Sequence, residues 1–311
     1  MTIESKTDLT RELAARLSAI ADVELRRREP LARHTSFGIG GPADLLAIPL
    51  SPDALSRAIT VAAGLGVDPV FLGNGTNMIV RDGGVRGLVI RMAGGLGEIV
   101  VDETRAMVEA GASLAAVCFQ CAQRGLSGLE FAAGIPGTLG GALIMNAGAY
   151  GGEVGEVTEW VDVVTREGEI RRLQRDELAF GYRRSALRDG GLAVLRAGLR
   201  LATGDAAQIH CKLCDTIAER CAKQPVCSPS AGSIFKRPNG DYAGRLLEEA
   251  GAKGMRVGRA AVSSKHANFV VNLGGATAAD VIRLIDHARD LVYEKFGVVL
   301  EPEVCFIGED A

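Results

Sequence analysis

The sequence predicts an α+β protein of more than one domain, and three observations carry that reading. A strand, helix and strand open the chain, short strands around a few helices fill its middle, and two capped helices separated by strands close it. At 311 residues there is chain enough for two or three cores. Leu9, Leu13 and Leu17 fall four apart, so Thr7 to Ile20 reads as an amphipathic helix, with the basic run Arg26, Arg27, Arg28 behind it. Strand patterns cover Asp44 to Ile48 and Pro69 to Leu72. Between them Ser51-Pro52 caps and starts a helix that runs to about Gly64. Gly73-Asn74-Gly75-Thr76-Asn77 stops the second strand abruptly, and Met78 to Val80 and Leu88 to Ile90 resume the pattern.

From residue 96 to 202 the expected strands are Ile99 to Val101, Ala106 to Glu109, Val161 to Thr165, Glu169 to Leu173 and Ala193 to Leu201. Ser113 to Arg124 and Thr138 to Met145 are the helix candidates there. Asp205 caps a helix that reaches about Cys221, and Thr277 with Asp280 forms a capping box for a helix that ends at Phe296-Gly297. Ala260 to Val262, Phe269 to Val271 and Val304 to Ile307 read as strands.

Composition removes several function classes. Hydrophobic residues make up 47% and charged residues 23%, which excludes disorder, and the net charge of −3 offers no basic field for duplex nucleic acid. Charges scattered through residues 1 to 20 give no secretory signal, so a cytoplasmic protein is expected. Phe131 to Gly152 carries no lysine or arginine, but its glycines, Pro136 and Asn146 argue against a spanning helix, so no membrane insertion is expected. Seven cysteines in such a chain should be reduced thiols. Cys118 with Cys121 and Cys211 with Cys214 have zinc-ligand spacing, yet both pairs sit in helical patterns rather than glycine turns. Cys214, Ile217 and Cys221 share a helical stripe and read as small buried hydrophobes, so no metal is expected. Gly38-Ile39-Gly40-Gly41-Pro42-Ala43 fits a dinucleotide fingerprint in letters only, because Pro42 and the strand after it deny the required strand-turn-helix context.

Two glycine clusters are the informative features. Gly134, Ile135, Pro136, Gly137, Gly140, Gly141, Asn146, Ala147 and Gly148 mark a stretch of very small side chains in which peptide N–H groups lie exposed to whatever packs there. A helix opening at Thr138 would add its positive end, and such a surface suits a pyrophosphate. Gly73, Asn74, Gly75, Thr76 and Asn77 form a second nest at a strand end. Glycine for crowded packing alone is the competing reading of both.

These clusters occur in order with Gly181-Tyr182-Arg183-Arg184-Ser185, Ser230-Ala231-Gly232-Ser233-Ile234-Phe235, Lys265-His266-Ala267-Asn268-Phe269 and Glu301-Pro302-Glu303-Val304. Together, from about His34 to Ile307, they resemble the UDP-N-acetylenolpyruvoylglucosamine reductases, flavoenzymes of peptidoglycan precursor synthesis. The resemblance implies an FAD-binding fold of the vanillyl-alcohol oxidase and p-cresol methylhydroxylase type, two α/β lobes with a separate C-terminal α+β substrate domain. Residues 1–95, rejoined by 298–311, would be the first lobe, 96–203 the second, and 204–297 the substrate domain. It further implies non-covalent FAD in the two nests, NADPH as reductant, UDP-N-acetylglucosamine enolpyruvate as substrate, and no obligatory protein partner.

Reducing an enolpyruvyl ether builds charge on the carbon beside the carboxylate, which calls for a fixed cation, a polarising acid and a proton donor. By resemblance the cation is Arg183, whose guanidinium can grip a carboxylate through two hydrogen bonds. Ser233 is the implied proton donor, with Lys236 and Arg237 the nearest basic groups to support it and to meet substrate. Glu303 is the implied acid, with Glu301 its rival. Tyr182, Lys223, Lys253 and Asn268 are the further expected substrate contacts. Two departures mark a shorter subtype: Gly38 stands where many relatives carry a basic residue, and the short run from Arg183 to Leu192 leaves no room for a tyrosine-bearing loop. The rival within the fold is another flavin oxidoreductase acting on a sugar or lactone.

Overall fold

The computed structural model describes residues 3–188 and 191–311. Its backbone divides into two compact units, one of residues 1–27, 44–74 and 87–218, the other of residues 28–43, 75–86 and 219–311. This division cuts across the expected first lobe. Phe37, Ile39 and Ile79 are buried in the same cluster as Val281, Leu284 and Val292, so burial of these three side chains draws segments 28–43 and 75–86 into the second unit.

In the first unit the helix Ile3–Ser18 buries Leu13 and Leu17. A four-stranded sheet runs in the order Val23–Pro30, Pro42–Pro49, Val85–Arg91, Val70–Leu72, with the last two strands parallel. The arginine run that showed only charge in the sequence therefore lies in an edge strand, where charged side chains are tolerated. Ser51 Oγ accepts from Ala54 N at 3.2 Å to cap the helix Pro52–Gly64, as its sequence requires.

The second sheet of this unit is five-stranded and antiparallel, ordered Ile170–Gln174, Thr158–Val164, Ala193–Arg200, Arg105–Glu109, Ile99–Asp102. Val161 and Val163 enter the core, while the alternate residues Trp160 and Asp162 line the other face. Trp160 pairs in register with Gly198, and a Cβ built there would lie 2.3 Å from the indole, so the ring rests directly on bare backbone. Arg172 stacks on that ring at 3.7 Å from its centroid and also forks onto Asp162 at 2.7 and 2.9 Å. Arg196 Nε adds a bond to the same carboxylate at 2.9 Å. Burial pushes the Asp162 carboxyl up, but the hydrogen bonds and charges of Arg172 and Arg196 outweigh it and hold the group below its usual range.

The helix Ala206–Lys223 starts on Asp205, which caps Gln208 N at 2.9 Å. Its apolar stripe is Ile209, Leu213 and the half-buried Ile217. Cys214 and Cys221 are exposed, contrary to the expected buried stripe, because the 209-213-217 row already fills the core-facing side.

In the second unit an antiparallel sheet runs Ser230–Ser233, Phe269–Asn272, Ala260–Val262, Arg256–Val257. The helix Ala278–Phe296 begins in the expected Thr277 capping box and ends at Gly297 in the left-handed region, φ 68°. Asp82 strengthens its start by accepting from Ala278 N and Ala279 N at 2.8 and 2.9 Å. The closing strand Cys305–Ile307 pairs in parallel with Met78–Val80. Among the described residues no helix is long and apolar enough to cross a membrane.

Two tests follow from the five-stranded sheet. Gly198→Ala must displace Trp160, the only tryptophan in the chain. Overpacking of this kind should destabilise by about 1–3 kcal/mol and shift the indole emission, both readable in one fluorescence-monitored melt. Asp162 titrates at a lower pH folded than unfolded, so its contribution is complete above about pH 4 and fades as the pH falls through the folded value. Asp162→Asn should therefore lower the melting temperature at pH 7, with the gap to wild type narrowing in acid.

Candidate active site

Gly73, the first residue of its cluster, meets the second cluster inside the first unit, whereas Gly75, Thr76 and Asn77 belong to the second unit. Strand Val70–Leu72 ends in Gly73, and a Cβ there would stand 2.5 Å from Thr138 Oγ1, so the corners close only because position 73 has no side chain. Gly134 and Gly137 turn the second corner with φ of 78° and 129°. Thr138 then caps the six-residue helix Leu139–Ile144. Residues 137–140 run alongside 110–114: Leu114 N donates to Gly137 O at 3.1 Å, Leu139 N to Ala112 O at 2.9 Å, and Gly140 N to Ala110 O at 2.9 Å. A Cβ on Gly140 would meet that of Ala110 at 2.9 Å, and one on Gly148 would meet Gly152 O at 2.6 Å. Packing therefore explains these glycines as well.

Beyond the helix lies the Tyr182-Arg183 turn. Gly181 and Arg184 exchange main-chain bonds of 2.9 and 3.0 Å, which puts Tyr182 and Arg183 at the tip, Arg183 with φ 53°. The Arg183 guanidinium donates to Gly148 O at 3.2 Å and lies 5.1 Å from the Tyr182 ring centroid. Arg183 is half-buried, whereas Tyr182 and Arg184 are exposed.

The second unit assembles Ser233 and Glu303. Glu303 N donates to Ile234 O at 2.7 Å, and Lys236 N to Glu301 O at 2.8 Å, so the segment after Ser233 lies against 301–303. Asn77 of the first nest joins them, its amide donating to Glu303 O at 3.2 Å while its carbonyl accepts from Cys305 N at 2.9 Å. Ser36 Oγ ties Ser230 O at 2.7 Å, and Gly232 turns with φ 75° beside Thr76. Ser233 is half-buried, as is Glu303, but the Glu301 carboxylate is 73% exposed and pairs with Lys236 at 3.1 Å. The structure thus separates the two glutamates of this motif.

Comparison with known proteins identifies the arrangement. Residues 43–174 match the FAD binding domain model, and residues 224–307 match the model of the UDP-N-acetylenolpyruvoylglucosamine reductase C-terminal domain. The chain is 45% identical over 292 residues to the UDP-N-acetylenolpyruvoylglucosamine reductase of Pediococcus pentosaceus, covering 94% of this chain and 97% of that one. It belongs to the UDP-N-acetylenolpyruvoylglucosamine reductase family. The Rubrobacter xylanophilus reductase is 49% identical over 282 residues, 90% of this chain and 94% of its own. The crystal structure of the Thermus caldophilus reductase superposes with a TM-score of 0.78 at 37% identity, covering 91% of this chain and 98% of that chain. The FAD-binding fold with a separate C-terminal domain, expected from the sequence, is therefore the fold of this reductase-family chain.

A flavin dinucleotide fits the corners in one respect and not in another. The bare meeting of Gly73 with Thr138, the left-handed Gly134 and Gly137, and the exposed Gly141 leave room for close backbone approach. The helix opening at Thr138 does not supply the amides expected of it. Leu139 N and Gly140 N are bonded to Ala112 and Ala110, and Gly141 N to Thr138 Oγ1 at 3.4 Å, because residues 110–114 take them first. Asn146 is likewise committed: its side chain is buried and bonded to Glu153, Gly181 and Gly155.

Several expected substrate contacts also have internal partners. Asn268 is buried and pairs both amide atoms with the main chain of Phe235, each at 2.9 Å, which pins the Ser233 segment. Lys223 pairs with Glu219 and Lys253 with Glu248, and Arg237 stacks on Tyr242 at 3.9 Å. A cavity of about 450 Å³ in this unit is lined by Gln224, Ser228, Arg256, Ser263 and Lys265 among others, and signalled itself nowhere in the sequence. Cys118 and Cys121 lie in the core cluster, where burial pushes their thiols up to about 12 and about 11.

Gly141→Ala separates packing from cofactor contact. Nothing lies nearer its Cβ than Thr138 Oγ1 at 3.6 Å, so alanine should raise stability by about 0.5–1 kcal/mol through helix propensity. If Gly141 faces the dinucleotide, the same variant should retain less FAD, measured as flavin absorbance per protein after gel filtration. Full retention would remove Gly141 from the cofactor site.

Proposed function

We propose that the chain reduces UDP-N-acetylglucosamine enolpyruvate to UDP-N-acetylmuramate with NADPH and bound FAD, a step of peptidoglycan precursor synthesis carried out in the cytoplasm. The observation that carries this reading is the placing of Glu303 on the backbone beside Ser233, within a domain that matches the reductase-specific C-terminal model. That match also disfavours the rival of a sugar or lactone oxidase. In this scheme residues 1–95 with 298–311, 96–203 and 204–297 remain the working division into two flavin lobes and a substrate domain.

FAD, when bound, relays electrons from NADPH to the enolpyruvyl double bond. Asn74, Gly75, Thr76, Asn77, Gly134 and Gly137 are the main-chain and small-side-chain groups proposed to hold it. Arg183 grips the substrate carboxylate and stabilises the negative charge that spreads onto it as the double bond is reduced. Ser233 gives its hydroxyl proton to the carbon beside that carboxylate. Glu303, protonated, donates a hydrogen bond to the carboxylate and lowers the same charge. The uridine diphosphate end is assigned to the 450 Å³ cavity, a volume within the usual range for small-ligand sites, whose lining cations are Arg256 and Lys265. Lys223 and Lys253 are not in that lining but neighbour its residues Gln224 and Gly254 in sequence, and are proposed to turn from their carboxylate partners to the diphosphate.

Stopped-flow measurement of the two half-reactions tests the assignment. Ser233→Ala should leave flavin reduction by NADPH fast and slow reoxidation by the enolpyruvyl sugar by about 10²-fold or more, since only the second step consumes the proton. Arg183→Ala should slow the same step by a comparable factor. Equal slowing of both half-reactions would overturn the roles given to these residues.

A further inference from the structure

We infer that Asn146 is a positioning residue for Arg183, acting through the turn that carries it; the inference rests on the role proposed above for Arg183. Asn146 is 1% exposed and sits in the left-handed region with φ 42°, so both its side chain and its backbone are committed. Its Nδ2 donates to Glu153 Oε2 at 2.7 Å and to Gly181 O at 3.1 Å, and its Oδ1 accepts from Gly155 N at 2.9 Å. Only one orientation of the amide satisfies these partners, because two are acceptors and the third is a donor.

The bond to Gly181 is the one with consequences. Gly181 O also accepts Arg184 N at 3.0 Å, the bond that closes the turn over Tyr182 and Arg183. Two more straps join the same segments: the Arg183 guanidinium donates to Gly148 O at 3.2 Å, and Ser185 Oγ donates to Ile144 O at 2.9 Å. Residues 181, 183 and 185 are thus each tied to the stretch 144–148, with Asn146 and Ser185 the buried members of the set. A Cβ on Gly155 would stand 2.8 Å from Asn146 Oδ1, so the close approach that makes the third bond depends on glycine there.

Other residues fail at this position for separate reasons. Aspartate would bring a second carboxylate against Glu153 and the Gly181 carbonyl, with no donor between them. Glycine tolerates the backbone conformation but supplies no amide. Asn146→Gly therefore removes the hydrogen bonds while sparing the backbone strain, and it is the informative variant.

The experiment measures both half-reactions in Asn146→Gly, Arg183→Ala and the double variant, each purified with FAD. Asn146→Gly is expected to keep its flavin, to be reduced by NADPH within about twofold of the wild-type rate, and to be reoxidised by the enolpyruvyl sugar at least tenfold more slowly at saturating substrate. In the Arg183→Ala background the same change should cost less than about threefold, since the group it positions is gone. Multiplicative losses, loss of the flavin, or equal slowing of both steps would overturn the inference. If Arg183→Ala itself leaves reoxidation unchanged, the role of Arg183 falls instead; if only Asn146→Gly leaves it unchanged, the positioning role falls. Should Asn146→Gly not fold, Ser185→Ala removes the neighbouring strap and should slow reoxidation several-fold, again without adding to Arg183→Ala. Full additivity there would refute the device.

Discussion

Thr138 can stand where it does only because nothing projects from position 73, and the order of the first unit's corner depends on that contact. A single methyl group on Gly73 would collide with the hydroxyl that caps the helix after it. From this point a series of short backbone contacts extends through the unit. Residues 137–140 lie on 110–114, residues 144–148 lie on 181–185, and glycine, alanine or an asparagine with a left-handed backbone takes part at each junction. Dense packing of this kind transmits displacement rather than absorbing it. The tip bearing Arg183 is in that sense fixed by the same geometry that brings the glycine corners together.

How much of this was legible in the sequence depends on how local each signal is. Ser51, Asp205 and Thr277 announced their helices because a cap bonds to its own next turn, and all three cap as read. The arginine-rich strand Val23–Pro30 and the short helix Ala243–Glu249 were not legible, since an edge strand needs no alternation and a helix of that length shows little period. Glycine was legible as a cluster but not in its purpose. Gly140 and Gly148 serve crowding against Ala110 and Gly152, while a Cβ on Gly141 would make only an ordinary contact with Thr138 Oγ1, and nothing in the run of letters distinguishes them.

The same limit governs the asparagines. Asn146 and Asn268 lie in motifs that suggest ligand contact, yet both are buried and bonded to the main chain of residues distant in sequence. A buried amide must satisfy its donors and acceptor somewhere, and the partners belong to the tertiary structure. The cysteines divide by the same principle. Cys118 and Cys121 enter the core while Cys214 and Cys221 do not, because Ile209 and Leu213 decide which side of their helix is covered.

The cations proposed to act on the substrate are held in two different ways, and the difference matches what each is asked to do. Lys223, Lys253 and Lys236 pair with Glu219, Glu248 and Glu301, carboxylates that are themselves largely exposed at 45, 57 and 73%. Ion pairs so open to water are worth about 0–1 kcal/mol each, so an approaching diphosphate can take the ammonium at little loss. The turn that carries Arg183 is fixed instead by the bonds of Gly181 and Ser185 to residues 144–148, which no incoming anion competes for. A group that must meet charge developing in a transition state gains from being held beforehand, because reorganising it during the reaction would cost the stabilisation it provides. Loose lysines for binding and a strapped arginine for chemistry are what that requirement predicts.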